Sequence, residues 1–421
     1  MDEHMTIENL FAGIDLKTWV GLSCLNGVGA GRLNKLATYL LHLDSANSPA
    51  QEISAELLKQ LGWPKDSIGQ ALYGLNGRWG DNIQRQIDDT FAWLAHSRQH
   101  QILLPSSPAY PPILKAIPVA PVTLYVRGSV MALSPPAIGI VGARRASPYG
   151  RDVAQSWAQQ LAEAGICPIS GGAMGIDTCV HQGALNARQA TIAVMGTGLQ
   201  ALYPRQNHHL FEQIVDTGGA LVSEYPLKTQ ARPQLFPPRN RIISGLSYGI
   251  LVVEASAQSG SLISARYGLE HNREVMAIPG RIYDTNAGGT NLLIRQGAAL
   301  VTSVEEVLNE LPRECRDLMQ NLHQNQSPAK PQQTELLFAS NEQHAPHRER
   351  SDQAVHWDFS GYSKSERQVL QCLTDAAQGM DFDELVRATQ CHVPSLMQQL
   401  MSLELTGVIT NQQGMYRLQK H

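Results

Sequence analysis

The sequence predicts an α/β fold: a Rossmann-like parallel-sheet core with an N-terminal helical domain and a C-terminal winged-helix domain. Three observations carry that expectation. Between Ala137 and about Glu310, the apolar runs AIGIVG, ICPIS, TIAVMG, ALVSE, GILVVEA, EVMAIPG and ALVTS alternate with helical stretches, as stacked βαβ units require. The runs are apolar throughout, which suits strands covered on both faces. Ahead of them lie leucines at helical spacing, and behind them three helix patterns lead into a terminal hairpin.

In chain order, residues 1–104 read as short helices. Leu33, Leu36, Leu40 and Leu41 keep a helical period, and Trp19, Trp63, Trp79 and Trp93 supply bulk for a small core. Prolines then recur around an apolar LYVRG stretch, which suits a connector with one strand at the start of a domain over 105–313. The first core helix opens at Pro148 and Tyr149, repeats Val153, Trp157 and Leu161 on one face, and stops at Gly165. Residues 314–360 turn to Gln, Asn, His, Pro and Ser, a composition that cannot repay the entropy of ordering, and read as a flexible linker. Over 361–421, Ser363 with Glu366 and Asp381 with Glu384 have capping-box spacing, and Leu396, Leu400 and Leu403 share a face. VIT, NQQG and MYRL follow as a two-stranded wing.

A formal charge of -4 over 421 residues argues against a histone-like polycation, so nucleic-acid contact must come from local clusters of positive charge. The six cysteines (Cys24, Cys167, Cys179, Cys315, Cys372, Cys391) form no CxxC pair and have no histidine at zinc spacing, so reduced thiols and no metal are expected. The acidic start lacks an apolar h-region and no long uncharged apolar run occurs, which points to a cytoplasmic protein that does not span a membrane.

Ligands of open parallel sheets sit beyond the carboxyl ends of the strands. AIGIVG runs directly into Arg144 and Arg145, whose planar guanidinium groups suit bidentate phosphate contacts. The second core strand ends in Ser170, Gly171 and Gly172, where bare backbone amides can approach an anion. Tyr203 and Arg205 follow the third strand. Phe236, Arg239, Asn240 and Arg241 precede the fifth, and Ser259, Gly260 and Ser261 come after it. Lys228 is the only lysine between 137 and 310, so arginine supplies nearly all the positive charge there. Bases of a single strand could stack on Tyr149, Tyr203 or Phe236. Asp177 and His181, at i and i+4, read as a helix-internal hydrogen bond rather than a catalytic pair, and His208 with His209 as a solvated helix end. Glu224 and Glu254, at strand ends, read as partners that orient nearby arginines. No GxGxxG with a following acidic residue and no Walker lysine loop occurs, which disfavours dinucleotide redox chemistry and ATP hydrolysis.

Taken together, GIVGARRAS, SGGAMGIDTCVHQGAL, TIAVMGTGL with YPRQN, FPPRNRIISGLS, VVEASAQSGSLISA, IPG and GGTNLLIRQGA resemble the ordered motifs of the DNA-processing protein A family (DprA, also called Smf). They cover nearly all of 137–301. The resemblance implies a dimeric, non-catalytic protein without cofactor that binds and protects incoming single-stranded DNA and loads RecA recombinase in natural transformation. It also implies a DNA pocket of Arg144, Ser170, Gly171, Arg205, Arg239, Asn240 and Arg241. Arg144→Ala or Arg239→Ala would then weaken strand binding with little loss of folding. One departure stands in the glycine loop, where Gly172 and Met174 replace the usual SGLA followed by a basic residue. Leu25 to Gly29, before a helix bearing Arg32 and Lys35, is similar to a helix-hairpin-helix. Pro394 to Leu405, the recognition helix of the wing domain, has no Lys or Arg, which favours partner contact over duplex reading. Two rivals remain. One is a Rossmann-like hydrolase cleaving the glycosidic bond of a nucleoside monophosphate through Glu254 or Asp177, and the other is an adaptor recruiting partners through 314–421.

Overall fold

The structure, a computed structural model, describes residues 10–42, 52–326, 362–376, 379–389 and parts of 396–418. It divides into two compact units, Met1–Gln332 and Gln333–His421. In the first, nine strands make one sheet: β1 (His100–Leu103), β2 (Leu124–Gly128), β3 (Ala137–Val141), β4 (Cys167–Ser170), β5 (Ile192–Val194), β6 (Ala220–Ser223), β7 (Gly249–Val252), β8 (Glu274–Ala277) and β9 (Ala299–Leu300). Their order across the sheet is β9-β8-β7-β3-β4-β5-β6-β2-β1. Strands β3 to β9 pair in parallel, while β2 runs antiparallel to β6 and β1 antiparallel to β2. The seven apolar runs are thus β3–β9, and LYVRG is β2.

Eight helices follow β2 and flank the sheet: α6 (Pro148–Glu163), α7 (Ile176–Asn186), α8 (His208–Asp216), α9 (Phe236–Gly245), α10 (Ser261–Glu270), α11 (Gly288–Arg295), α12 (Val304–Glu310) and α13 (Arg313–Gln326). Strand periodicity decides which layer each side chain joins. Ile138 and Ile140 of β3 pack with Ala154, Ala158 and Leu161 of α6, whereas Ala137 and Val141 join Ala265 of α10 on the opposite face. Ser147 caps α6 by accepting a hydrogen bond from Gly150 N at 2.9 Å.

Five helices precede the sheet: α1 (Leu16–Ser23), α2 (Ala30–Leu41), α3 (Ala55–Gln60), α4 (Lys65–Leu75) and α5 (Asp81–His96). The expected boundary at residue 104 does not separate two cores. Trp19, Leu36 and Trp93 of these helices share one buried cluster with Tyr125 of β2, Leu221 of β6 and Phe211 of α8. His100–Leu103, counted above with the helical front end, is the sheet's edge strand β1. Residues 314–326, expected as linker, are helical in α13. Cys315 is fully buried and Met319 packs against the α6 face of the sheet, so a few well-placed apolar side chains outweigh the polar composition around them. The rest of that linker, 327–360, lies outside the described residues.

The second unit contains α14 (Lys364–Asp375), α15 (Phe382–Thr389) and the strands β10 (Met380–Asp381), β11 (Ile409–Gln412) and β12 (Met415–Leu418), in the sheet order β10-β12-β11. Both capping boxes form: Ser363 with Glu366, and Asp381, whose Oδ1 accepts from Glu384 N at 2.7 Å. The wing is the antiparallel pair β11–β12, with β10 added along its free side. Leu396, Leu400 and Leu403 are buried in its core. Most of 394–405 lies outside the described residues.

Candidate nucleic-acid interface

A parallel sheet opens a crevice where neighbouring strands send their connections to opposite faces. β3 and β7 are such neighbours, since α6 covers one face and α10 the other. A cleft of about 500 Å³ lies at their carboxyl ends. Arg144 and Arg145 enter it from the loop after β3, and Arg239 and Asn240 from α9. Ser259 and Ser261 come from the loop after β7 and the start of α10.

Arg144 and Arg145 are exposed. The Arg144 guanidinium stands 5.5 Å from the centre of the Phe236 ring, and that ring lies 6.0 Å from the half-exposed Tyr203 ring at a tilt of 52°. Cation and two mutually tilted rings lie next to one another and form a stepped platform, a surface of the kind on which bases stack. Phe236 is held at the first turn of α9, where Pro237 and Pro238 follow; their missing N–H groups fall where a helix start has no acceptor to offer.

The floor of the cleft is held by internal hydrogen bonds, although the buried Arg239 Nε has no partner. Arg239 is only 4% exposed, and its Nη1 donates to the Gly171 carbonyl at 2.7 Å and to the Val194 carbonyl. A Cβ added at Gly171 would lie 2.6 Å from both terminal nitrogens of Arg239 and 2.7 Å from Asp177 Oδ2, so only glycine lets these groups close on the loop. Burial raises the Asp177 pKa, against the pull of Arg239 and of the Ala173 N–H. Burial likewise brings Arg239 down to about 10, still cationic at neutral pH. Asn207 pins the glycine loop by donating to the Gly172 carbonyl at 3.0 Å.

The structure brings some of the expected residues together and not others. Arg144, Arg145, Arg239, Asn240, Ser259 and Ser261 line one cleft. Ser170 is fully buried beneath it, donating to the Ile140 carbonyl at 2.7 Å, and Gly171 serves as the acceptor and spacer for Arg239. Arg205 is exposed on a short turn (Arg205–Asn207) and does not line the cleft. Arg241 faces away, ion-paired with Glu224 in the interior. On a helix, residues two apart do not share a face, so Arg239 and Arg241 could not both point into the cleft.

Glu224 therefore orients an arginine as expected, but Glu254 does not. Its carboxylate accepts from the Ser147 backbone N–H at 2.9 Å and from the Ser147 hydroxyl, fixing the start of α6. Asp177 and His181 are not bonded to each other either. Thr191 donates its hydroxyl to the Pro168 carbonyl at 2.7 Å, so at 2.9 Å its oxygen accepts from His181 Nδ1, which assigns the ring proton to Nδ1. Burial pushes His181 down to about 3, keeping it neutral. Asn286 was not singled out from sequence, yet it lines the cleft and donates to the Arg145 carbonyl at 3.1 Å. Its TNAGG context signals a turn, and Asn286 N does bond Asp284 Oδ1 at 2.9 Å, but nothing in that signal links the turn to Arg145.

Residues 101–312 match the family described as DNA recombination-mediator protein A, and 350–415 match the DprA winged helix domain. The chain belongs to the DNA recombination-mediator protein A family. Protein Smf of Escherichia coli is 37% identical over 71% of this chain and 75% of its own length. Protein Smf of Synechocystis is 31% identical over 94% and 97%. The X-ray structure of DNA processing protein A from Streptococcus pneumoniae has a TM-score of 0.58 at 32% identity, covering 70% of this chain and 96% of that one. This DprA-family chain has no helix among its described residues long and apolar enough to cross a membrane. No three His, Cys, Asp or Glu side chains among them are grouped to hold a metal ion.

Proposed function

We propose that the protein is a cytoplasmic, non-catalytic mediator that binds single-stranded DNA along the Arg144 rim, protects it, and hands it to RecA recombinase during natural transformation, acting as a homodimer. The platform of Arg144, Phe236 and Tyr203 beside the serine-lined cleft carries this reading. Unpaired bases can lie on rings, whereas paired bases in a duplex cannot reach them. Arg145, Ser259 and Ser261 would take phosphate oxygens, with Asn240 positioned by the Gly260 carbonyl at 3.4 Å. Arg239, Ser170 and Gly171 act by holding the floor in shape. Arg205 would meet a strand only after it leaves the cleft. A hydrolase reading finds less support, because the Glu254 carboxylate is committed to the start of α6.

A mobility shift with single- and double-stranded oligonucleotides of one sequence tests the proposal. The single strand should bind at least roughly tenfold more tightly, about 1.4 kcal/mol, from one or more stacked bases. Equal affinity for the duplex would remove the stacking platform from the account.

A further inference from the structure

We propose that a second phosphate site lies between the front-end helices and α9, and holds one backbone phosphate of a strand leaving the cleft. The inference rests on the strand-binding reading above and extends its path. A cavity of about 470 Å³ is lined by Gly29, Gly31, Arg32, Lys35, Glu224 and Arg241, among others. It sits on the far side of the segment that walls the cleft. Phe236, Arg239 and Asn240 face the cleft, while Leu235, Pro238 and Arg241 face this cavity.

Two independent features point to an anion. The twelve-residue helix α2 begins here with Gly29 as N-cap, which offers no side-chain acceptor; the Arg32 and Leu33 N–H groups bond to the Gly29 carbonyl, which leaves those of Ala30 and Gly31 without a partner in the helix. Arg241 is 6% exposed, and although its Nη2 pairs with Glu224, its Nη1 has no hydrogen-bond partner. Arg32, Lys35 and Arg241 set three positive charges against the single Glu224 carboxylate. The hairpin loops are locked in place. Arg32 donates to the Gly62 carbonyl at 2.6 Å and the Gly27 carbonyl at 2.7 Å, which ties the turn before α2 to the turn after α3.

The test uses the full chain and oligothymidylates of about 6 and about 30 nucleotides, the shorter within the usual span of one single-strand groove. Gly31→Asp suits it because a Cβ there meets nothing within 4 Å, and an acidic residue in the first helical turn favours the helix while repelling phosphate. Lys35→Gln is the second variant. Both should lower affinity for the long strand, Gly31→Asp by roughly five- to tenfold, and reduce its salt slope by about 0.7 while leaving the short strand unchanged. Parental affinity for the long strand in both variants overturns the second site and leaves the cleft intact. Equal losses on both lengths also overturn it as a separate site. A parent chain that binds neither length overturns the cleft and this site together.

Discussion

Replacing Arg144 with alanine is expected to weaken single-strand binding by roughly ten- to a hundredfold, about 1.4 to 2.8 kcal/mol, with the unfolding transition unchanged. The side chain is exposed; its guanidinium lies over the face of Phe236 and exerts only a minor electrostatic pull on the buried Asp177. Removing it deletes a phosphate donor and one layer of the platform but leaves no buried group unpaired. Anisotropy titration of a labelled oligothymidylate, with urea unfolding as the control, reads both quantities. Parental affinity in this variant would detach the rim from DNA binding.

Arg239→Ala should have the opposite signature. From the sequence alone the two arginines look equivalent, and both substitutions are expected to spare folding. The structure overturns this for Arg239, which is buried and whose Nη1 satisfies the carbonyls of Gly171 and Val194. Its loss also removes the stronger-acting of the two positive charges that offset the burial of Asp177. Breaking a buried charged network of this kind costs about 3 to 5 kcal/mol, a large share of a domain's stability. Urea denaturation should show the drop. An Arg239→Ala chain with the parental midpoint would mean the carbonyl bonds contribute little.

The contrast shows what sequence can and cannot carry. Apolar runs of strand length located β3 to β9, and chain order alone put Arg144 and Arg145 at the carboxyl end of β3. The helical period of Val153, Trp157 and Leu161 located α6, and cap spacing located the starts of α14 and α15. Those signals are local. What stayed illegible depends on contacts between distant segments. β1 is four residues following a helix and has meaning only through its pairing with β2. Cys315 and Met319 make α13 part of the core, but only because the sheet is there to receive them. Arg239 and Arg241 belong to one motif, yet helix geometry sends them to opposite sides, one to the cleft floor and one to Glu224. Glu254 ends a strand as an arginine partner would, but the nearest donors are the N–H and hydroxyl of Ser147.

The salt dependence of single-strand affinity tests the cationic rim most directly. Anisotropy titrations of the full chain with a labelled oligothymidylate, from about 50 to about 200 mM salt, should give a log–log slope of roughly -1.4 or steeper, two phosphates at about 0.7 each. An affinity that stays flat across that range would contradict a phosphate-binding rim.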